Sequence, residues 1–217
     1  MVDSGKKVDA EVGGTAHIAP LSLEQMDSVR DIIEIAQRFS GYVPTSFRIM
    51  ARKPNILRAF NALIAAVMRE PGEVAMETKW LIAHAVSTSA GCRYCQAYTA
   101  ANGAKAGIPE PKLEALMNYE TSDLYLPPER VAVALALAAG QVPNSSTREH
   151  FDALRVHFSD DAIVEIVAVI SLFGWLNRWN DTLASDLEGK PLSFALNHLA
   201  SKGWDAGKHV RGVPPGS

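Results

Sequence analysis

Helix starts and helix stops follow one another along this chain from Ser22 to Pro191, and almost nothing between them reads as a strand. Ser22-Leu23-Glu24-Gln25 has the Ser-x-x-Gln form of a capping box, and Met26, Val29, Ile33 and Ala36 then recur at helical spacing. Gly41 and Pro44 close that helix, since glycine accepts a left-handed end and proline cannot continue one. Pro54 opens NILRAFNALIAAVM, which Pro71-Gly72 ends, and a third helix is expected from about Val74 to Thr88. Gly91 breaks the chain before a fourth, from Cys92 to about Ala106, which Gly107 stops. Pro127-Pro128-Glu129 starts an Ala-rich fifth, halted by Gly140 and Pro143. Ser146-Thr147-Arg148-Glu149 reads as another capping box, Ser159-Asp160-Asp161 sets carboxylates on the positive end of the next helix, and Pro191 begins a last short one. There is no Asn-Gly hairpin turn and no sustained apolar–polar alternation. The expected class is all-α: one multihelical bundle over residues 19–206, between a loose arm at 1–18 and a tail at 207–217. A faint internal duplication lays Ile82 to Ala100 over Ile166 to Ala184, with Ile, Ser and Ala matching at a constant offset.

Composition limits the function classes. At 217 residues and 47% hydrophobic, the chain can bury a core without disulfide staples. A net charge of −3 and a pI of about 6.1 argue against a nucleic-acid partner, which needs a basic patch. The first 16 residues, MVDSGKKVDAEVGGTA, lack the apolar core of a signal peptide. No window approaches the roughly 18 apolar residues of a membrane span. A cytoplasmic location without membrane contact is the resulting expectation, and in that reducing compartment a Cys-x-x-Cys pair is catalytic or metal-binding before it is structural.

The stretch GCRYCQAYT holds both cysteines of the chain, Cys92 and Cys95. Gly91 ends one helix and Cys92 begins the next, where unpaired backbone N–H groups carry partial positive charge and favour a thiolate. Cys95 lies one turn on and faces the same side, the arrangement for a reversible disulfide. Two other readings stand beside it. A buried cysteine can be a small hydrophobe, although that leaves the pairing at a helix start unexplained. Zinc needs two more ligands, and the six histidines (His17, His84, His150, His157, His198, His209) show no paired metal spacing, so no metal is expected. A thiol that reduces a peroxide also needs a base. Glu77 and His84 project from one face of the preceding helix but stand about 10 Å apart along its axis, too far for a direct bond. His84, inside the apolar run WLIAHAV, reads equally as a base or as a satisfied core histidine.

GCRYCQAYTA preceded by LIAHAVSTSA resembles the alkylhydroperoxidase D-like, peroxidase-related proteins of the carboxymuconolactone decarboxylase superfamily. GYVPTSFRIMARKP and SLFGWLNRWNDTLASDLE agree, and the resemblance spans roughly residues 40 to 190. It implies an all-helical fold with internal duplication and interlocked homo-oligomers, often trimers or hexamers. It also implies an antioxidant dithiol, Cys92 with Cys95, that reduces organic hydroperoxides. No bound cofactor is implied; an external thiol or lipoyl-type donor would regenerate the dithiol. Two departures from the family pattern stand out. Relatives commonly carry a His three or four residues after the second Cys, where this chain has Tyr98 and Thr99. The family's Glu twelve residues before the first Cys is here Trp80, and Glu77 lies one turn earlier. His84 is then the candidate base, with Tyr98 as a hydroxyl donor.

Asn177, Arg178, Asn180 and Asp181 interrupt an apolar helix pattern. They read either as a solvated face with an Arg178–Asp181 pair or as groups that reach the dithiol, Arg178 or Asn180 holding thiolate charge. Which cysteine attacks stays open: the helix start favours Cys92, while the resemblance points to the second. The expected activity is thiol-dependent hydroperoxide reduction. The alternatives are the decarboxylase or lactone chemistry that names the superfamily, which needs no dithiol, and an oligomeric redox sensor without turnover.

Overall fold

A computed structural model describes residues 14–211, and among them there are helices and turns but no strand. The parts of the expected arm and tail at 1–13 and 212–217 lie outside the described residues. The helices are α1 (Arg30–Ser40), α2 (Thr45–Met50), α3 (Pro54–Met68), α4 (Met76–Ser89), α5 (Arg93–Lys105), α6 (Glu110–Glu114), α7 (Pro127–Ala139), α8 (Arg148–Arg155), α9 (Asp160–Leu183) and α10 (Gly189–His198).

The punctuation marks act much as their chemistry dictates. Gln25 Oε1 accepts from the Ser22 amide at 3.0 Å, although the turn it caps, Leu23–Val29, is a 3-10 helix before α1 proper. Gly41 takes φ +77° and ends α1. Ser159 Oγ accepts from the Ala162 amide at 3.0 Å and starts α9. The box expected at Ser146 sits one residue later: Thr147 is the N-cap, and its amide donates to His150 Nδ1 at 3.1 Å. Pro44 does more than close a helix, because α2 begins directly after it. α10 starts at Gly189, two residues before the expected Pro191.

α4 is the central element. Its stretch Leu81 to Ser87 is buried on every side, covered by α5, α7 and α9. Each Leu or Ile there contributes about 1.5–3 kcal/mol of burial, which is why a helix of such low amphipathicity forms at all: its polar face has nowhere to be. At its N-terminal end the buried Lys79 ammonium lies 3.2 Å from Glu165 of α9 and donates to the Val67 carbonyl at 3.0 Å. That pairing satisfies a charge that could not otherwise be inside.

α9 corrects one expectation. It is long and apolar enough to cross a membrane by length and composition, but half of that stretch is buried against α3, α4, α5 and α7, as in the core helix of a globular protein. The proposed duplication fares differently. Ile82 to Ala100 is two helices joined at a sharp break, whereas Ile166 to Ala184 is one unbroken helix and its end. The matching Ile, Ser and Ala letters are the shared composition of packed helices.

Both chain ends that are described fold onto the body. Thr15 Oγ1 donates to Asp186 at 2.8 Å and the His17 amide to the Leu183 carbonyl at 2.8 Å. The expected tail begins inside the structure: Gly207–His209 is a 3-10 turn, and His209 is only 1% exposed. Trp204 Nε1 donates to the Arg93 carbonyl at 3.2 Å and Asp205 pairs with Arg93 at 3.5 Å, so this segment lies across the start of α5.

Candidate functional site

Gly91 turns the chain from α4 into α5 at φ +73°, a left-handed conformation that costs any residue with a Cβ. Cys92 is the N-cap of α5, and its sulfur accepts from the Cys95 amide at 3.3 Å. Both cysteines are free thiols and both are buried. The helix start therefore presents a sulfur to an unpaired backbone donor, as its sequence position implies.

The two sulfurs face different surroundings. Cys95 lines a small cavity of about 20 Å³ walled largely by Phe47, Phe60, Tyr98, Phe173 and Leu176, with Ser46 and Asn180 among its polar members. Asn180 Nδ2 lies 3.6 Å from the Cys95 sulfur and donates to it. Burial pushes the Cys95 thiol up, the neighbouring Cys92 adds to this, and the Asn180 bond opposes it. Cys95 thus keeps its proton until a base removes it.

Cys92 looks the other way. Its sulfur, a carboxylate oxygen of Asp181 and a ring nitrogen of His209 lie within 4.8 Å of one another. His209 Nδ1 lies 2.8 Å from the Ser185 carbonyl, and Nε2 lies 3.7 Å from Asp181 Oδ1 with no hydrogen-bond partner. The His209 ring also rests 5.8 Å from that of Tyr94. Burial holds the imidazole below its ordinary value, while the Ser185 carbonyl and the Asp181 carboxylate act in the opposite direction. The other Asp181 oxygen binds Lys208 at 2.9 Å. Among the described residues, Cys92, Asp181 and His209 are the donors close enough together to share a metal ion, and they supply three ligands.

Beneath the tyrosines lies a buried carboxylate. Glu188 Oε1 accepts from the Tyr94 hydroxyl at 3.0 Å and from the Thr45 amide at 2.5 Å, and Oε2 has no partner. Burial raises this carboxyl above the usual range, and the bonds from Thr45 and Tyr94 only partly oppose it. The folded chain then holds a proton at a pH where the unfolded chain has released it. The stability contribution is complete at low pH and fades as pH rises through the folded value. Glu188→Gln keeps the acceptor and removes the charge. Its stability relative to wild type in urea unfolding is expected to improve from about pH 5 to about pH 8; a difference that stays constant over that range would show that the carboxylate carries no penalty.

The remaining residues singled out from sequence divide. Asn180 and Asp181 reach the dithiol. Arg178 does not: it is exposed on an open groove of about 1150 Å³ that Asn177 and Asp181 also line, and the Asp181 partner is Lys208 rather than Arg178. Tyr98 lines the cavity beside Cys95, and burial raises its phenol, so it stays a donor. Thr99 is fully buried, donates to the Cys95 carbonyl at 2.7 Å and meets His84 Nδ1 at 3.2 Å. His84 lines a different cavity, with Thr88, Gln96, Leu113 and Glu114, and makes no hydrogen bond to either sulfur. Burial lowers it to about 4, with a backbone bond at Gln96 opposing. It is therefore the satisfied core histidine of the two readings. Glu77 is exposed in the first turn of α4, near Gly107. The histidine that does face the dithiol, His209, lies in the segment that reads as a tail. Its sequence signals were Trp204 and the GKH turn: a tryptophan and a histidine in a stretch without periodicity.

Residues 54–139 match the carboxymuconolactone decarboxylase family. The Escherichia coli protein YnjA, itself uncharacterized, is 24% identical over 153 residues, 70% of this chain and 84% of its own length. Among solved structures, the debrominase Bmp8 in complex with 2,3,4-tribromopyrrole superposes with a TM-score of 0.76 at 28% identity, covering 83% of this chain and 96% of that one. The alkylhydroperoxidase AhpD core of a peroxidase-related protein from Ralstonia eutropha superposes with a TM-score of 0.73 at 25% identity, covering 83% of this chain and 95% of the other.

Proposed function

For a chain that matches the carboxymuconolactone decarboxylase family over residues 54–139 and has an alkylhydroperoxidase D-like fold, we propose a thiol-dependent reductase of organic hydroperoxides that works through Cys92 and Cys95. The observation that carries this reading is a buried dithiol at a helix start with one sulfur opening on an aromatic cavity. Cys95 is the sulfur that meets the peroxide. It attacks the terminal oxygen; the sulfur–oxygen bond forms, the oxygen–oxygen bond breaks, and the thiol proton passes to the departing oxygen, which leaves as the alcohol. Cys92 then displaces water from the sulfenic acid and closes the disulfide. An external thiol or lipoyl-type donor returns the pair to the dithiol. Apolar walls favour a carbon-bearing peroxide over hydrogen peroxide. The closed cavity holds little more than a water, so half-buried Tyr98 and Ile64 must give way to admit one. Exposed Val164 and Trp175 on α9 support a homo-oligomer.

The test is stoichiometric. Reduced protein given one equivalent of cumene hydroperoxide is expected to lose two free thiols and release one equivalent of cumyl alcohol. Added dihydrolipoamide should make the reaction catalytic. Thiols that survive excess peroxide would sink the reading, and thiols that oxidise without turnover would leave a redox sensor.

A second substrate class has its own support in the aromatic cavity and the likeness to the debrominase. Bromine on an electron-rich ring is a soft electrophile like peroxide oxygen. A thiolate takes the bromine, the ring carbon keeps the electron pair and gains a proton, and the second sulfur expels bromide as the disulfide closes. Bromide release from a bromopyrrole in the same assay distinguishes the two substrates.

A further inference from the structure

We infer that His209, held by Ser185 and Asp181, is the proton-transfer residue of this dithiol and acts on Cys92. The inference rests on the dithiol reading above and names a group that reading lacks. In this chain the places three and four residues after Cys95 hold Tyr98 and Thr99, and His84 makes no hydrogen bond to either sulfur. The C-terminal segment supplies an imidazole instead.

Three observations converge on it. The first is place: a ring nitrogen of His209, the Cys92 sulfur and Asp181 share a space 4.8 Å across. The second is tautomer. A backbone carbonyl can only accept, so the 2.8 Å bond to Ser185 puts the proton on Nδ1 and leaves the Nε2 lone pair free. That lone pair is buried and unpartnered in a residue 1% exposed. The third is charge. The groups facing the ring are the Asp181 carboxylate, the Lys208 ammonium bound to Asp181, the Cys92 thiol and the Tyr94 phenol. A neutral imidazole is a ready base there, and once it gains a proton the Asp181 oxygen 3.7 Å away stabilises the cation. Asp181 also lines the open groove, which connects this buried pair with solvent.

The step balances simply. When Cys92 attacks the sulfenic sulfur of Cys95, the sulfur–sulfur bond forms and the sulfur–oxygen bond breaks. The Cys92 proton goes to His209 Nε2 and from there to the departing hydroxide, giving water. When a donor thiol later opens the disulfide at Cys95, the proton that thiol gives up passes through the same nitrogen to the leaving Cys92 thiolate. Asp181 acts through His209 and is a positioning residue.

The experiment compares wild type, His209→Asn, Asp181→Asn and His84→Asn, each checked for its fold by circular dichroism. His209→Asn is expected to slow disulfide closure and turnover by about a hundredfold, the usual size of a lost general base. Its Cys95 sulfenic acid should still form and accumulate as a dimedone adduct. His84→Asn should turn over normally at pH 7. In a Cys95→Ser background, alkylation of Cys92 by iodoacetamide should show a pH break below about 6.5 that His209→Asn removes and Asp181→Asn moves downward. A folded His209→Asn protein that closes its disulfide at the wild-type rate would overturn the inference while leaving the dithiol reading intact. A loss of turnover on chelation that zinc restores would also overturn it, making His209 a metal ligand. A wild type that consumes no peroxide would instead defeat the reading on which it rests.

Discussion

Serine at Cys95 is expected to end hydroperoxide reduction, and serine at Cys92 to halt it after one oxidation. The two substitutions are nearly isosteric, so the Gly91 turn and the start of α5 should survive both. Their chemistry differs because the sulfurs have different neighbours. Cys95 lines the aromatic cavity and receives the Asn180 bond. With Cys92 removed it can still take oxygen from a peroxide, but nothing closes the disulfide. Intact-mass analysis of Cys92→Ser after one equivalent of peroxide should show a single added oxygen that dimedone captures. Cys95→Ser should show none, because a serine hydroxyl is far too weak a nucleophile for this reaction without its own activating base. The reverse pattern would exchange the roles of the two sulfurs. Decarboxylase or lactone activity that a double serine variant retains would instead favour the chemistry that names the carboxymuconolactone decarboxylase superfamily, which has no use for a dithiol.

Acid is expected to unfold this protein through His84. Buried between α4 and α5, that imidazole titrates at about 4 rather than 6.5. Between those values the unfolded chain binds a proton that the folded chain refuses, so acidification favours the unfolded state. The contribution is complete above about pH 6.5, is lost as pH falls toward 4, and amounts to about 3 kcal/mol over the window. His209, also held below its ordinary value, adds in the same direction. His84→Gln offers the Thr99 hydroxyl a partner of similar reach without a proton to gain. It is expected to be less stable than wild type at pH 7, where a packed ring is lost, and to close that gap as pH falls. Urea midpoints at about pH 7, 5.5 and 4 measure it. A difference between the two proteins that does not change with pH would mean the imidazole is not held neutral.

The helices, their caps and the position of the dithiol follow from sequence, because each is specified within a few residues. A cap satisfies amides two or three positions on, an apolar stripe repeats every three or four residues, and Cys92 sits at a helix start because Gly91 precedes it. α9 shows where such local signals stop. Its polar run was visible, but Asn180 and Asp181 serve the dithiol while Arg178 faces a groove, and only the rotation of α9 against α5 decides that. His84 and His209 show the same limit in opposite directions. His84 stood near the cysteines in sequence and amid apolar residues, and burial turned it into a core group bonded to Thr99. His209 stood in an aperiodic stretch beside Gly207, with no spacing to recommend it. It reaches Cys92 because Trp204 and Asp205 fasten that stretch to Arg93, 111 residues away from Trp204 in the chain. The sequence thus determined where the two thiols stand, since a pair one turn apart is a local fact. The tertiary structure alone decided which side chains and which cavity each sulfur meets, since those contacts depend on burial between segments that share no local signal.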